Sequence, residues 1–255
     1  MTRSPRTVDP PWLLAEAGAL TDGATVELDR EEAAHLTGAL RLGAGDPVML
    51  ADGRGRVATG VVAAARGSRA TVTLATVREL PPAAHRLTLA LGVLHGQAMD
   101  WAVQKAVEIG VHRLVPLTCA RAQGSPVTAR ARLPHWRRAA GQALKQCHRA
   151  WEMELGEPAS LDGWLAGLGG QAGVVADREG GSLPDLPSAH YQLLLVGPEG
   201  GLCDDEKERL AAAGWPRLRL GPYFLRAETA ATVGAALLLQ ALERAGASGP
   251  GTLPT

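Results

Sequence analysis

Two glycine-rich segments of this chain combine residue types that could hold a ligand: Leu193–Gly201, LLLVGPEGG, and Leu220–Ala231, LGPYFLRAETAA. In the first, four aliphatic residues run into Gly-Pro-Glu-Gly-Gly. That suits a buried parallel strand ending in a loop whose glycines let backbone come close to a ligand. One such segment is equally well a tight strand-to-helix turn, but two in succession favour a site. The second segment sets Arg226, Glu228 and Thr229 just ahead of an apolar helix, ATVGAALLLQALERA. Charged and hydroxyl side chains there can cap the helix start. Arg226 offers the planar, paired donors of a guanidinium to adjacent acceptors. Glu228 suits a base, a cap or a partner for an arginine, and the residues alone leave these open. The chain holds no convincing G-x-G-x-x-G dinucleotide fingerprint.

The elements that must position these segments fall into two parts that divide near Leu80-Pro81-Pro82. Before it, β-type runs at Thr25–Leu28, Pro47–Ala51, Arg56–Ala64 and Ala70–Val77 are separated by glycine turns such as Asp52-Gly53-Arg54-Gly55, which predicts a small β-barrel over residues 1–80. After it, β-runs at Arg86–Gly92, His112–Leu117, Ala172–Ala176, Gln192–Val196 and Leu218–Leu220 alternate with helical stretches at Asp100–Gly110, Leu133–Ala150, Asp205–Ala213 and Glu228–Ala245. That alternation predicts an α/β parallel sheet over residues 81–246. The last residues, 247–255, are expected to be a disordered tail.

Three further segments complete a pattern: His35-Leu-Thr-Gly-Ala-Leu-Arg41 with Gly45-Asp46 after it, Gln104-Lys105-Ala-Val-Glu108-Ile-Gly110-Val, and Gln142-Ala-Leu-Lys-Gln146-Cys-His-Arg149. With GPEGG and LG–FLRAETA, the five motifs in this order and spacing resemble the SPOUT methyltransferases, and in detail the RsmE family. That family methylates N3 of a uridine in bacterial 16S rRNA, position 1498 in the usual rRNA numbering, with S-adenosylmethionine as cofactor. The resemblance implies a PUA-like RNA-binding barrel in front of an α/β knot, in which the C-terminal segment threads through a loop. It implies a homodimer, with the apolar helix Ala230–Leu242 as the interface. It also places the cofactor against Val196, Gly197, Pro198, Glu199, Gly200, Gly201, Leu220, Gly221 and Leu225. Arg226 becomes the candidate catalytic residue that holds charge on the uracil, with Glu228 as a candidate base. Arg6, His35, Arg41, Lys105, Arg121, Arg137, Arg138 and Arg149 become candidates for positioning RNA. In three places the chain departs from the family: Arg6 is followed by Thr7-Val8 where aromatic residues are usual, Ala34 stands where a His usually precedes His35, and AWEMELGEPASLDGW after Arg149 stands where a proline-centred sequence is usual.

Charge separates the chain further. With 26 basic and 26 acidic residues the total is balanced, which argues against indiscriminate coating of nucleic acid. Between Gly110 and Trp151 there is no Asp or Glu, while eight Arg or Lys side chains are present. This predicts a phosphate-binding face. Residues 152–255 reverse the balance, so RNA contact there is expected only at the site itself. No apolar run approaches the roughly 18 residues of a membrane span, and MTRSPRTVDPP lacks the apolar stretch of a secretory signal, so the expectation is a cytoplasmic chain. Cys119, Cys147 and Cys203 show no C-x-x-C spacing, so they read as small buried thiols, with no metal site expected. Two other classes stay open: a knotted methyltransferase for a ribose 2′-hydroxyl or a tRNA base, and a non-catalytic RNA-binding or ribosome-assembly factor.

Overall fold

The computed structural model describes residues 9–122, 124–183 and 191–245. Arg6 and the expected tail lie outside these described residues. The chain forms two units. One holds the described residues up to Pro82 together with Leu144–Glu152, and the other holds Ala83–Ala143 and the described residues from Met153 onward. The return of residues 144–152 to the first unit is absent from the two consecutive blocks expected from sequence.

The first unit contains β1 (Trp12–Leu14), β2 (Thr25–Glu27), α1 (Arg30–Gly38), β3 (Pro47–Ala51), β4 (Arg56–Arg66) and β5 (Arg69–Glu79). Its five-stranded sheet runs β1-β3-β4-β5-β2, antiparallel except for the parallel β1–β3 pair. The β4–β5 hairpin turns at Gly67, whose φ of 62° is the left-handed conformation that a two-residue loop needs. One sheet face and α1 enclose Leu13, Leu36, Leu50, Val62 and Val72.

Helix α1 and strand β1 were not expected. The helix is too polar for an apolar-periodicity signal, yet it carries a start signal: the Asp29 side chain accepts from Glu32 N at 2.8 Å. The Glu32 side chain does not reach back to Asp29. One carboxylate oxygen accepts from Leu14 N at 3.1 Å and the other takes the buried Lys145 ammonium. Lys145 is therefore a core ion pair and no part of a phosphate face. Around it, His148 stacks on Trp12 with centroids 5.0 Å apart, and Glu152 N donates to Gly53 O at 2.8 Å.

The second unit contains β6 (Arg86–Gly92), α2 (Gln97–Glu108), β7 (Arg113–Thr118), β8 (Glu154–Leu155), β9 (Ala159–Ser160), α4 (Leu161–Gly167), β10 (Val174–Gly181), β11 (Tyr191–Val196), α5 (Asp204–Ala212), β12 (Arg217–Leu218) and α6 (Ala227–Ala245). Helix α3 (Pro126–Gln146) starts in this unit and ends in the first. All strand pairs are parallel, in the order β12-β10-β11-β6-β7-β8, with β9 also on β7. Strands β6 and β11 are buried almost end to end, Thr88 and Gln192 included, as their largely apolar runs require in a sheet covered on both faces. Helix α6 packs on β6, β11 and α2.

Helix α3 corrects the expected Leu133–Ala150. It begins seven residues earlier and passes through Pro134. The missing N–H and ring clash disfavour a proline there. However, Ala129, Leu133, Trp136, Ala140 and Ala143 form one buried stripe across it, and that packing keeps the helix continuous.

Removing one partner of a buried pair strands the other charge. Lys145→Ala is expected to lower stability by roughly 3–5 kcal/mol in urea unfolding. The double variant Glu32→Leu/Lys145→Met should recover most of that loss.

Candidate functional site

The loop after β11 opens a cavity at the carboxyl ends of β10, β11 and β12. Pro198 O accepts from Gly201 N at 2.8 Å, closing a tight turn, and Gly201 sits at φ 68°, where a side chain is strained. The end of β6 comes against this turn backbone to backbone: a Cβ on Gly92 would lie 2.6 Å from Pro198 Cδ and 2.9 Å from Gly197 C. Three side chains then pin the turn to its neighbours. Glu199 Oε1 accepts from His95 N at 2.7 Å. Arg121 donates to Gly200 O at 3.3 Å and to Leu202 O at 3.5 Å. The buried Glu206 carboxylate accepts from Cys203 N at 2.9 Å and from Ala120 N at 2.7 Å.

The cavity has a volume of about 730 Å³, within the roughly 300–1,000 Å³ usual for small-molecule sites. Its lining brings together Val196, Gly197, Pro198, Glu199, Gly200, Gly201, Leu220, Gly221 and Leu225, with Arg226 and Glu228 at the same wall. An added Cβ on Gly221 would meet nothing within 4 Å, so this glycine leaves open space in the lining. Arg226 is exposed, and its carbonyl accepts from Ala230 N at 2.8 Å in the first turn of α6. Among the described residues, no ion pair joins Glu228 to an arginine.

The sequence reading missed Asp177, Arg178, Glu179, Lys207, Arg219, Tyr223 and Phe224, which also line the cavity. The first three lie where the β10–β12 register breaks between Ala176 and Gly181, a bulge that turns side chains toward the opening. The expected strand ended at Ala176, so this stretch carried no signal. Asp177 lies within 4 Å of both Lys207 and Arg217, and Glu179 is 3.3 Å from Arg217.

The residues expected to position RNA are spread over both units. In the first, His35 is half-buried in the last turn of α1, Arg41 is exposed at φ 55°, and Arg149 is half-buried, with desolvation pushing its guanidinium pKa down. In the second, Lys105 is 2.7 Å from Glu108 on α2, Arg121 braces the turn, Arg137 is 3.7 Å from Glu157, and Arg138 is exposed on α3. The acid-free stretch is therefore not free of acids in space: Arg113 meets Glu154, Arg130 meets Glu157 and His135 meets Asp100. Of the cysteines, only Cys119 is buried; Cys147 and Cys203 are partly exposed, contrary to expectation. No group of three metal-ligating side chains occurs among the described residues, and no described helix is long and apolar enough to cross a membrane.

An all-parallel sheet with a glycine-built cavity at its strand ends defines the second unit as an α/β ligand-binding domain. The chain belongs to the RNA methyltransferase family: that family's domain model matches residues 81–239, and an RNA methyltransferase PUA domain model matches residues 28–75. Similar relatives carry the name ribosomal RNA small subunit methyltransferase E. The Mycobacterium tuberculosis protein is 29% identical over 83% of this chain and 84% of its own length, and the Bacillus subtilis protein is 25% identical over 83% and 88%. Among solved structures, a Legionella pneumophila methyltransferase in complex with the cofactor SAM is 27% identical. It superposes with a TM-score of 0.84 over 92% of this chain and 98% of that one. The Neisseria gonorrhoeae ribosomal RNA small subunit methyltransferase E shares the fold, with a TM-score of 0.81 at 24% identity over 91% and 98%. The family expected from the motifs is borne out, as are a parallel α/β sheet with flanking helices and a PUA domain with a small, mainly antiparallel sheet.

Beside the pinned turn, burial pushes the Cys119 thiol from 9.0 up to about 12, aided by the nearby Glu206 and Cys203. The folded thiol stays neutral while the unfolded one ionises near pH 9, so this contribution is intact below pH 9 and is lost as pH rises toward 12. Urea midpoints measured from pH 8 upward should fall more steeply for the parent than for Cys119→Ala.

Proposed function

We propose that this chain transfers a methyl group from S-adenosylmethionine to N3 of a uridine in 16S rRNA of the small ribosomal subunit, in the cytoplasm. The observation that carries this reading is the single cavity wall shared by the GPEGG turn, Leu220–Leu225 and Arg226. The lining fits the cofactor: small glycine surfaces and backbone groups suit a nucleoside held by main chain, and Val196, Leu220 and Leu225 suit its apolar faces. When bound, S-adenosylmethionine supplies an electrophilic methyl group.

The rest is positioning and charge. In methyl transfer the N3–C bond forms as the S–C bond breaks, and the N3 proton must leave, spreading negative charge over O2 and O4. Arg226 is exposed at the cavity and, among the described residues, has no ion pair, so its guanidinium is available to hold that charge. Glu228, half-buried on the same wall, is the candidate to take the proton. The first unit would grip RNA through Arg41 and His35, and the second through Arg138, with Arg137 partly engaged by Glu157. Arg149 and Lys105 would serve more as supports, given the partial burial of one and the Glu108 partner of the other.

Two family features belong to the same reading. The chain crosses from the edge strand β12 back to α6 against β6 and β11, which supports a knotted path. Leu237 on α6 and Trp101 on α2 are 44% and 39% exposed on two helices that pack together, which supports a dimer through α6. Light scattering should give twice 26.5 kDa, and Leu237→Glu should shift the protein toward monomer.

The direct test is nucleoside mass spectrometry of 16S rRNA. Small subunits from a strain lacking this protein should gain labelled 3-methyluridine on treatment with the protein and labelled S-adenosylmethionine. A different labelled nucleoside would discard the target while keeping the methyltransferase. Arg226→Ala should lower kcat by roughly 10²–10³-fold with cofactor affinity retained. Gly221→Trp, which fills the cavity without straining a left-handed backbone, should abolish cofactor binding by calorimetry.

A further inference from the structure

Tyrosine and phenylalanine are scarce here, two and one in 255 residues. Two of these three are consecutive, Tyr223 and Phe224, in the turn between β12 and α6, and each is 81% exposed. Large aromatic faces left in water at a cavity mouth suit a ligand that covers them. Both residues line the cavity, and the Arg178 guanidinium carbon lies 5.6 Å from the Phe224 ring centroid.

The charges beside them favour one occupant. Asp177 and Glu179 are engaged by Lys207 and Arg217. Arg178, Arg219 and Arg226, all lining the same cavity, have no ion pair among the described residues. Exposed rings interleaved with uncompensated guanidiniums match a single-stranded nucleic acid, whose bases stack on aromatic faces and whose phosphates pair with arginine. A second copy of this chain would be a poor cover, because an apolar contact would bury these guanidiniums without partners.

We infer that Tyr223 and Phe224 form a stacking platform for a base flanking the target uridine, with Arg178 and Arg219 holding the adjoining phosphates. The inference rests on the proposed action on RNA and adds the residues that seat the strand. Arg226 acts on the reacting ring, whereas the platform holds its neighbour, so the pair are positioning residues.

The test compares the parent with Tyr223→Ala/Phe224→Ala and with the conservative Tyr223→Phe/Phe224→Tyr. Three readouts are taken: anisotropy of a labelled single-stranded oligouridylate, calorimetric binding of S-adenosylmethionine, and sedimentation. The double alanine variant should bind the oligonucleotide roughly tenfold or more weakly, as loss of one stacked base predicts. Its cofactor affinity and sedimentation should match the parent, and the conservative variant should bind RNA as the parent does. Arg178→Gln should lower the slope of log affinity against log salt by about one.

Unchanged oligonucleotide affinity in the double alanine variant, or no oligonucleotide binding by the parent, would overturn the platform. An equal loss of cofactor binding would assign the rings to the cofactor, and dissociation of a dimer would assign them to a partner subunit; either result also overturns it. Because anisotropy requires no methyl transfer, failure of the proposed reaction and failure of the platform are read separately.

Discussion

The site depends on one close approach. Gly92 at the end of β6 and Gly197-Pro198 at the end of β11 meet with no room for a side chain between them. Adjacent parallel strands bring their carboxyl ends to one edge of the sheet, but they do not by themselves bring the loops beyond into contact. A glycine at the first strand's end lets the second loop fold down over it. The Glu199 carboxylate then reaches His95 N, Arg121 reaches the carbonyls of Gly200 and Leu202, and Glu206 ties Cys203 to Ala120. These bonds use charged side chains on backbone groups, which makes each stronger than a neutral bond and fixes the turn before any ligand arrives. A pre-formed wall suits methyl transfer, since misplacing the acceptor by about an ångström can cost roughly 10²-fold in rate.

What could be read from the sequence follows from where each signal is local. The buried runs of β6 and β11 and the glycine turn after them announce themselves, because a doubly covered parallel strand must be apolar along its length. The cavity wall was legible for the same reason: its residues are contiguous in two short segments. Strand β1, helix α1 and the bulge of β10 were not. Helix α1 is fixed by Asp29 at its start and by the reach of Glu32 to Lys145, 113 residues away, and neither leaves an apolar period. The bulge at 177–180 depends on the partner strand β12, only two residues long, which no pattern rule detects.

Helix α3 shows a local rule overruled. Pro134 should end or start a helix, and an expected start at Leu133 obeys that rule. The buried stripe from Ala129 to Ala143 extends on both sides of the proline, so breaking the helix there would expose Trp136 or Leu133. Burying two large side chains outweighs one missing backbone bond.

Charge misleads in the opposite way, because its partners are chosen in space. The acid-free stretch 111–151 looked like a phosphate face, yet Glu154, Glu157, Asp100 and Glu32 from outside it meet Arg113, Arg130, Arg137, His135 and Lys145. The acidic half of the chain keeps Arg178, Arg219 and Arg226 without ion pairs among the described residues, at the cavity mouth. Screening confines an exposed charge to about 8–10 Å, so a polyanion meets only the charges left uncompensated within that reach. By that measure the acidic half offers RNA cations where the chemistry would occur, while much of the basic stretch serves to hold the protein together.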